Sequence, residues 1–175
     1  MRMLVIDGNS IVNRAFYGIR PLTTKDGQFT NAIYGFLNIL FKILDEEEPS
    51  HLLVAFDEKA PTFRHKMYEE YKGKRKPMPA ELSEQVPVIR NLLQVMNIRI
   101  YAEEGIEADD ILGTMAKKAE QEGYLVSIVS GDRDLLQLAT DTILVRIPKT
   151  SRGKTVVEDY HTCLLYTSPS PRDCS

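Results

Sequence analysis

Three short apolar runs in this chain each lead into an aspartate, and helix-length amphipathic stretches separate them. Met3-Leu-Val-Ile6 runs into Asp7, and Leu52-Leu-Val-Ala-Phe56 runs into Asp57. Leu125-Val-Ser-Ile-Val129 runs into Ser130-Gly-Asp132, with Asp134 two residues on. Continuous apolar runs of this length suit parallel strands buried on both faces. The intervening segments read as helices. Ser10 to Ile19 stops before Pro21. Asn31 is positioned to cap a helix to about Glu47, with Ile33, Phe36, Leu37, Leu40, Ile43 and Leu44 on one face and Pro49 ending it. Glu81 to Met96 is amphipathic, and Glu107 to Glu122 ends at Gly123. Ile98 to Tyr101 adds a third strand, Leu135 to Ala139 a short helix, Thr142 to Ile147 a fifth strand, and Val156-Val157 an edge. Such alternation predicts an α/β fold: a mostly parallel central sheet with helices on both faces.

That fold gives the aspartates a shared address. In open α/β sheets, ligands bind outside the carboxyl ends of the strands. Asp7, Asp57, Asp132 and Asp134 are therefore expected on one rim. Glu107, Asp109 and Asp110 open the helix after strand three and should reach the same rim. Glu107 and Asp110, three apart, share a helix face. Each motif has a plain structural reading as a turn, a cap or an acidic helix start; their joint placement favours chemistry. Seven carboxylates in one crevice repel one another unless cations intervene. The set contains neither His nor Cys, so hard, oxygen-seeking Mg²⁺ (or Mn²⁺) fits. Two such ions about 4 Å apart can activate water and stabilise the leaving oxygen at a phosphodiester.

Charge is distributed to match. The net charge of −3 does not announce a nucleic-acid binder. Yet Arg64 to Lys76 holds six Lys/Arg (Arg64, Lys66, Lys72, Lys74, Arg75, Lys76) against two acids, whereas Glu103 to Asp110 holds five acids and no Lys or Arg. Tyr68 and Tyr71 interleave the basic residues and can stack on unpaired bases. Taken alone, this stretch reads as a solvated charged loop.

No apolar run approaches the roughly 20 residues of a membrane helix, and the N-terminus lacks a signal-peptide pattern. A cytoplasmic location is expected. Both cysteines, Cys163 and Cys174, fall in the last 13 of the 175 residues, so no disulfide framework is implied. Cys163 to Asp173 reads, residue for residue, as a translated transposase-type sequencing adapter. Residues 163–175 are therefore expected to be a disordered tail outside the fold, following a domain of residues 1–162, and the natural reading frame is expected to continue.

Val5-Ile-Asp-Gly-Asn9, Val54-Ala-Phe-Asp57, Thr62-Phe-Arg-His65, Tyr71-Lys72, Glu107-Ala-Asp-Asp110 and Ser130-Gly-Asp-Arg-Asp134 form an ordered set. In order and spacing it resembles the 5′–3′ exonuclease domain of bacterial DNA polymerase I, of the flap-endonuclease class. The resemblance covers residues 1 to about 162. It implies a PIN-like 5′ nuclease fold with a basic helical arch at about residues 58–80, past which the 5′ single strand runs. It implies metal binding by Asp7, Asp57, Glu107, Asp109, Asp110, Asp132 and Asp134, with Asp110 and Lys72 catalytic. Lys72 would meet the scissile phosphate, Arg64 and Arg75 the DNA backbone, and Tyr68, Tyr71, Lys74 and Lys76 would complete the DNA-binding set. The implied activity is two-metal hydrolysis of DNA bearing a 5′ flap or end, in replication and repair, by a monomer with a polymerase domain fused downstream. The family also places two further aspartates and a duplex-gripping helix–hairpin–helix beyond this chain's last residue. A PIN-domain ribonuclease would share the acids but lack the basic arch. A phosphoacceptor receiver domain would need an acid pair directly after strand one. A non-catalytic DNA-binding fragment is the third alternative.

Overall fold

Residues 1–58, 78–151 and 154–161 are described in the structure, a computed structural model. In chain order the elements are β1 (Arg2–Asp7), α1 (Gly8–Gly18), α2 (Asn31–Glu47), β2 (His51–Ala55), α3 (Ala80–Ser83), α4 (Gln85–Val95), β3 (Arg99–Tyr101), α5 (Ala108–Gln121), β4 (Leu125–Val129), a 3₁₀ turn (Arg133–Leu138), β5 (Ile143–Ser151) and β6 (Lys154–Tyr160). The six strands form one sheet in the order β3-β2-β1-β4-β5-β6. All neighbours are parallel except β5 and β6.

The order carries a functional consequence. From β1 the chain steps outward through β2 to β3, then returns to place β4 on the other side of β1. The reversal leaves a crevice at the carboxyl ends of β1 and β4, the switch point where open α/β sheets bind ligands. Asp7 is the last residue of β1, and Ser130 follows β4 directly.

Strand alternation divides the core in two. Leu4, Ile6, Val54 and Val129 face α1, α2 and α4, meeting Ile11, Phe36, Leu40 and Leu93. Val5, Leu53, Ala55, Ile128 and Val145 face α5, meeting Ile111, Leu112 and Ala116. Helices therefore cover both faces, as the alternating pattern predicts.

Several boundaries differ from the sequence reading, each for a local reason. The expected cap at Asn31 does not form, because Asn31 is already the first residue of α2 and its side chain donates to the Phe16 carbonyl (3.0 Å). Gln85, from α4, supplies the cap instead: its Oε1 accepts from Ala32 N (2.8 Å) and Ile33 N (3.2 Å). The helix expected from Glu81 is interrupted at Glu84, so that α3 is a single turn. Pro87 then sits in the first turn of α4, where its missing N–H costs no helical bond. β5 runs past its expected end at Ile147 because β6 takes over as its partner, with Pro148 opposite Val157. The segment 59–77, which holds nearly all of the expected arch, and the tail 163–175 lie outside the described residues.

Candidate metal centre

The carboxyl-end rim is built from four corners. At the first, Asp7 ends β1 and caps α1: its Oδ1 accepts from Ser10 N (2.9 Å). The residue after Asp7 must be small. A Cβ on Gly8 would lie 2.6 Å from the Phe56 ring, so glycine is the residue that fits. Phe56 is itself buried, with the Arg90 guanidinium 5.1 Å from its ring centre. Arg90 pairs with Glu58 at 2.7 Å, so packing and charge both fix the corner that presents Asp57.

Asp57 forms the second corner. Its Oδ1 accepts from Ala108 N at 2.7 Å, so a residue just past the end of β2 caps the start of α5. That helix start is the third corner. Glu107, at the N-cap position of α5, makes no side-chain cap bond and is 4% exposed. Asp109 and Asp110 follow in the first turn, where acids also favour the positive end of the helix. The fourth corner is the loop after β4, where Asp132 caps the 3₁₀ turn by accepting from Asp134 N at 2.9 Å.

These corners enclose two adjoining crevices. The narrower, of about 170 Å³, is lined by Asp7, Asp57, Glu107, Asp109 and Asp132, with Asn9, Ser10, Asn13 and Ala108. The wider, of about 600 Å³, is lined by Glu107, Asp109, Asp110 and Asp134, with Lys117 at its side. Glu107 and Asp109 border both. All seven candidate acids therefore lie along one rim, although Asp110 and Asp134 border the wider crevice and not the narrower one, and Asp110 also borders a further crevice beside Tyr101 and Glu103. Among the described residues, no group of three or more His, Cys, Asp or Glu side chains is drawn close enough to hold one metal ion. The candidate DNA contacts Arg64, Tyr68, Tyr71, Lys72, Lys74, Arg75 and Lys76 lie outside the described residues.

Electrostatics register the crowding. Asp7 is 5% exposed. Burial lifts its carboxyl above the ordinary range, the bonds from Ser10 and Ser130 pull it back, and the charges of Asp57 and Asp132 raise it further. That Asp7 feels the charges of both Asp57 and Asp132 reflects the common space to which β1, β2 and β4 lead.

Sequence reading passed over the residues that knit this rim together. Ser130 Oγ donates to Asp7 Oδ2 (2.8 Å) and accepts from Asp132 N (3.0 Å). Ser10 Oγ accepts from Gly131 N (2.8 Å), and Arg14 donates to the Gly131 carbonyl (3.1 Å). Burial and the neighbouring Arg133 hold the Arg14 guanidinium below its ordinary value. Arg14 also lines a shallow crevice of about 430 Å³ with Ser10, Asn13, Tyr17 and Gly18. Ser10, Ser130 and Gly131 are signalled by their position within Asp7-Gly-Asn-Ser10 and Ser130-Gly-Asp132, whereas Arg14 carries no such signal; the bonds from Ser10, Arg14 and Ser130 that span 117 to 123 residues leave no local trace.

A switch-point crevice lined by carboxylates, with no His or Cys in its lining, makes the carboxyl-end rim the candidate site of this α/β domain. Residues 2–161 match the family described as 5′-3′ exonuclease, N-terminal resolvase-like domain, and the chain belongs to that family. It is 51% identical over 159 residues to DNA polymerase I of Bacillus subtilis strain 168, covering 91% of this chain and 18% of the relative. It is 43% identical over 146 residues to a 5′-3′ exonuclease of Aquifex aeolicus, covering 83% of this chain and 50% of the relative. The chain thus spans about a fifth of the polymerases it matches. Among solved structures, the fold matches the T5 D15 protein co-crystallised with metal ions, with a TM-score of 0.69 at 20% identity over 95% of this chain and 59% of that one. It also matches a variant of the bacteriophage T5 flap endonuclease in a pseudo-enzyme-product complex with DNA and metal ions, with a TM-score of 0.69 at 20% identity over 95% of this chain and 60% of that one. The chain thereby shares the α/β fold of these solved structures.

Proposed function

We propose that this chain is the nuclease part of a 5′–3′ exonuclease and flap endonuclease that hydrolyses DNA phosphodiesters with divalent cations, Mg²⁺ or Mn²⁺, two per site. The observation that carries the reading is the convergence of five carboxylates, from β1, β2, the start of α5 and the loop after β4, on one switch-point crevice. The donor chemistry fits: the crevice offers carboxylate and amide oxygens and no His or Cys, the preference of a hard cation that keeps several waters. One ion would sit in the crevice that Asp7, Asp57, Glu107, Asp109 and Asp132 border and draw its ligands from among them, and Asp110 and Asp134 would serve the second. When bound, the ions supply charge stabilisation at the scissile phosphate and a more acidic water as nucleophile.

The chain's own residues set the geometry. Ser10 and Ser130 fix the Asp7 carboxylate, Ala108 N fixes Asp57, and Asp134 N fixes Asp132. Asp110, at the border of the wider crevice, is assigned a catalytic role. Lys72 stabilises negative charge that develops on the phosphate. Arg64 and Arg75 position the backbone, while Tyr68, Tyr71, Lys74 and Lys76 complete the grip on the 5′ single strand. The substrate is DNA with a 5′ flap or free 5′ end, met in replication and repair. The polymerase relatives favour a downstream polymerase domain in the same polypeptide. We place the protein in the cytoplasm as a monomer; no helix among the described residues is long and apolar enough to cross a membrane.

The test is a 5′-flap cleavage assay on the protein in its natural gene context. Cleavage should require Mg²⁺ or Mn²⁺ and stop in EDTA, and Asp110→Asn should abolish turnover while preserving the fold. Lys72→Ala should lower the cleavage rate far more than it weakens binding, since a contact made in the transition state acts on rate. Arg64→Ala should weaken binding and flatten its salt dependence. Cleavage that persists in EDTA, or a fully active Asp110→Asn, would overturn the assignment.

A further inference from the structure

Ser130 is fully buried at the end of β4, yet its hydroxyl touches two of the corner acids. It donates to Asp7 Oδ2 at 2.8 Å and accepts from the backbone N–H of Asp132 at 3.0 Å. The adjacent Gly131 N donates to Ser10 Oγ at 2.8 Å, and Ser10 N donates to the other Asp7 oxygen at 2.9 Å. The four groups close a ring of hydrogen bonds between the β1–α1 corner and the loop after β4. Space around the ring is small: a Cβ on Gly131 would lie 2.7 Å from Arg14 Nε and 2.8 Å from Ser10 Oγ.

Resting on the divalent-cation reading above, we propose that Ser130 is a positioning residue, which holds Asp7 and Asp132 in the mutual orientation that a shared cation requires. The chemistry follows from the inventory of a serine hydroxyl, one donor and two acceptor lone pairs. Its donor is committed to Asp7, which fixes the rotation of that carboxylate about its side-chain bond. Its acceptor is committed to Asp132 N–H, which fixes the loop that carries the second carboxylate. One atom thereby sets the distance between acids from two adjacent strands. Its single proton and one of its two lone pairs are thus committed to this bridge. Groups that orient metal ligands in this way change affinity by about 10- to 100-fold when removed.

A second serine of β4 provides the control. Ser127 is also buried, and its hydroxyl donates to Glu47 Oε2 at 3.0 Å, away from the crevice. Losing either hydroxyl strands a buried acceptor, so a purely structural role predicts similar behaviour for both. The experiment titrates Mn²⁺ alone into the full chain, following free Mn²⁺ by electron paramagnetic resonance, with melting temperatures in EDTA as the stability record. Ser130→Ala should weaken Mn²⁺ binding by about tenfold or more, and Ser127→Ala should leave it within twofold of the wild type at a comparable loss of melting temperature. Ser130→Cys keeps a single γ atom with only a weak donor, and should fall between Ser130→Ala and the wild type; it decides the matter if the alanine variant does not fold. Binding within twofold of the wild type for the Ser130 variants would overturn the proposal while leaving the cation reading intact. Equal weakening by Ser127→Ala would also overturn it, by making the effect one of general stability. A wild-type chain that binds no Mn²⁺ would overturn both.

Discussion

Asp7 sits buried beside two other carboxylates, so its ionisation works against folding. Its folded value lies above the ordinary 3.8 because of burial, with the charges of Asp57 and Asp132 adding to the rise. The sign of the pH dependence follows. Between 3.8 and the raised folded value, the unfolded chain has released this proton while the folded chain keeps it. Stability contributed by Asp7 therefore falls as pH rises through that window, and the loss is complete above it. Asp7→Asn keeps the shape, still accepts from Ser10 N and can donate to Ser130 Oγ. In EDTA at neutral pH it should raise the melting temperature, by about 2–4 °C for each kcal/mol of relieved charge. The gain should shrink as the pH approaches 3.8, and stabilisation by added Mg²⁺ should vanish. A lower melting temperature for Asp7→Asn at neutral pH would contradict this account. At this scale the sequence exposes the acids themselves, because a carboxylate directly after an apolar run marks a strand's end. It does not expose Ser10 and Ser130, whose partners lie 121 and 123 residues away.

Among the elements, α2 shows how far local reading goes. Its apolar stripe is legible from spacing, since Phe36, Leu40 and Ile43 recur on one face and all are buried. Its cap is not, since Gln85 reaches across from α4 to bond Ala32 N and Ile33 N. Gln85 Nε2 donates in turn to Glu81 O (2.8 Å) and Asn31 Oδ1 (3.2 Å). Gln85→Ala would leave buried donors at the α2 start without an acceptor, and should cost about 1–3 kcal/mol in urea denaturation. A loss below about 0.5 kcal/mol, the range of ordinary surface changes, would show that the cap does not hold the helix. The β5–β6 hairpin is a second case. Strand β5 pairs with β4 only over Ile143 to Arg146 and owes its remaining length to β6, a partner that Val156-Val157 alone only hints at.

For the whole molecule, one buried cation joins elements that are distant in sequence. Arg146, 6% exposed on β5, donates to Glu47 (2.8 Å) and Glu46 (2.7 Å) at the end of α2 and to Asp159 (2.8 Å) on β6. Burial alone would lower its affinity for the proton, but the bonds to Asp159 and Glu46 outweigh it and raise the value. Arg146→Met removes the charge and leaves Glu47 buried without its main partner. Such a break should cost about 3–5 kcal/mol, read as a shift of the urea midpoint, and should leave Mn²⁺ affinity unchanged because the network lies away from the crevice. The fold class and the rim of acids follow from alternation and strand ends. The strand order does not, since nothing local says that β4 returns to the far side of β1. Yet that return brings Ser130 and Asp132 to Asp7.

The proposed function requires divalent cations in this crevice. Anomalous diffraction from crystals grown with Mn²⁺ locates such ions without reference to activity. A strong anomalous peak is expected in the crevice bordered by Asp7, Asp57, Glu107, Asp109 and Asp132, together with loss of that peak in Asp7→Asn crystals. Mn²⁺ found only at scattered surface carboxylates, with none between β1 and β4, would contradict it.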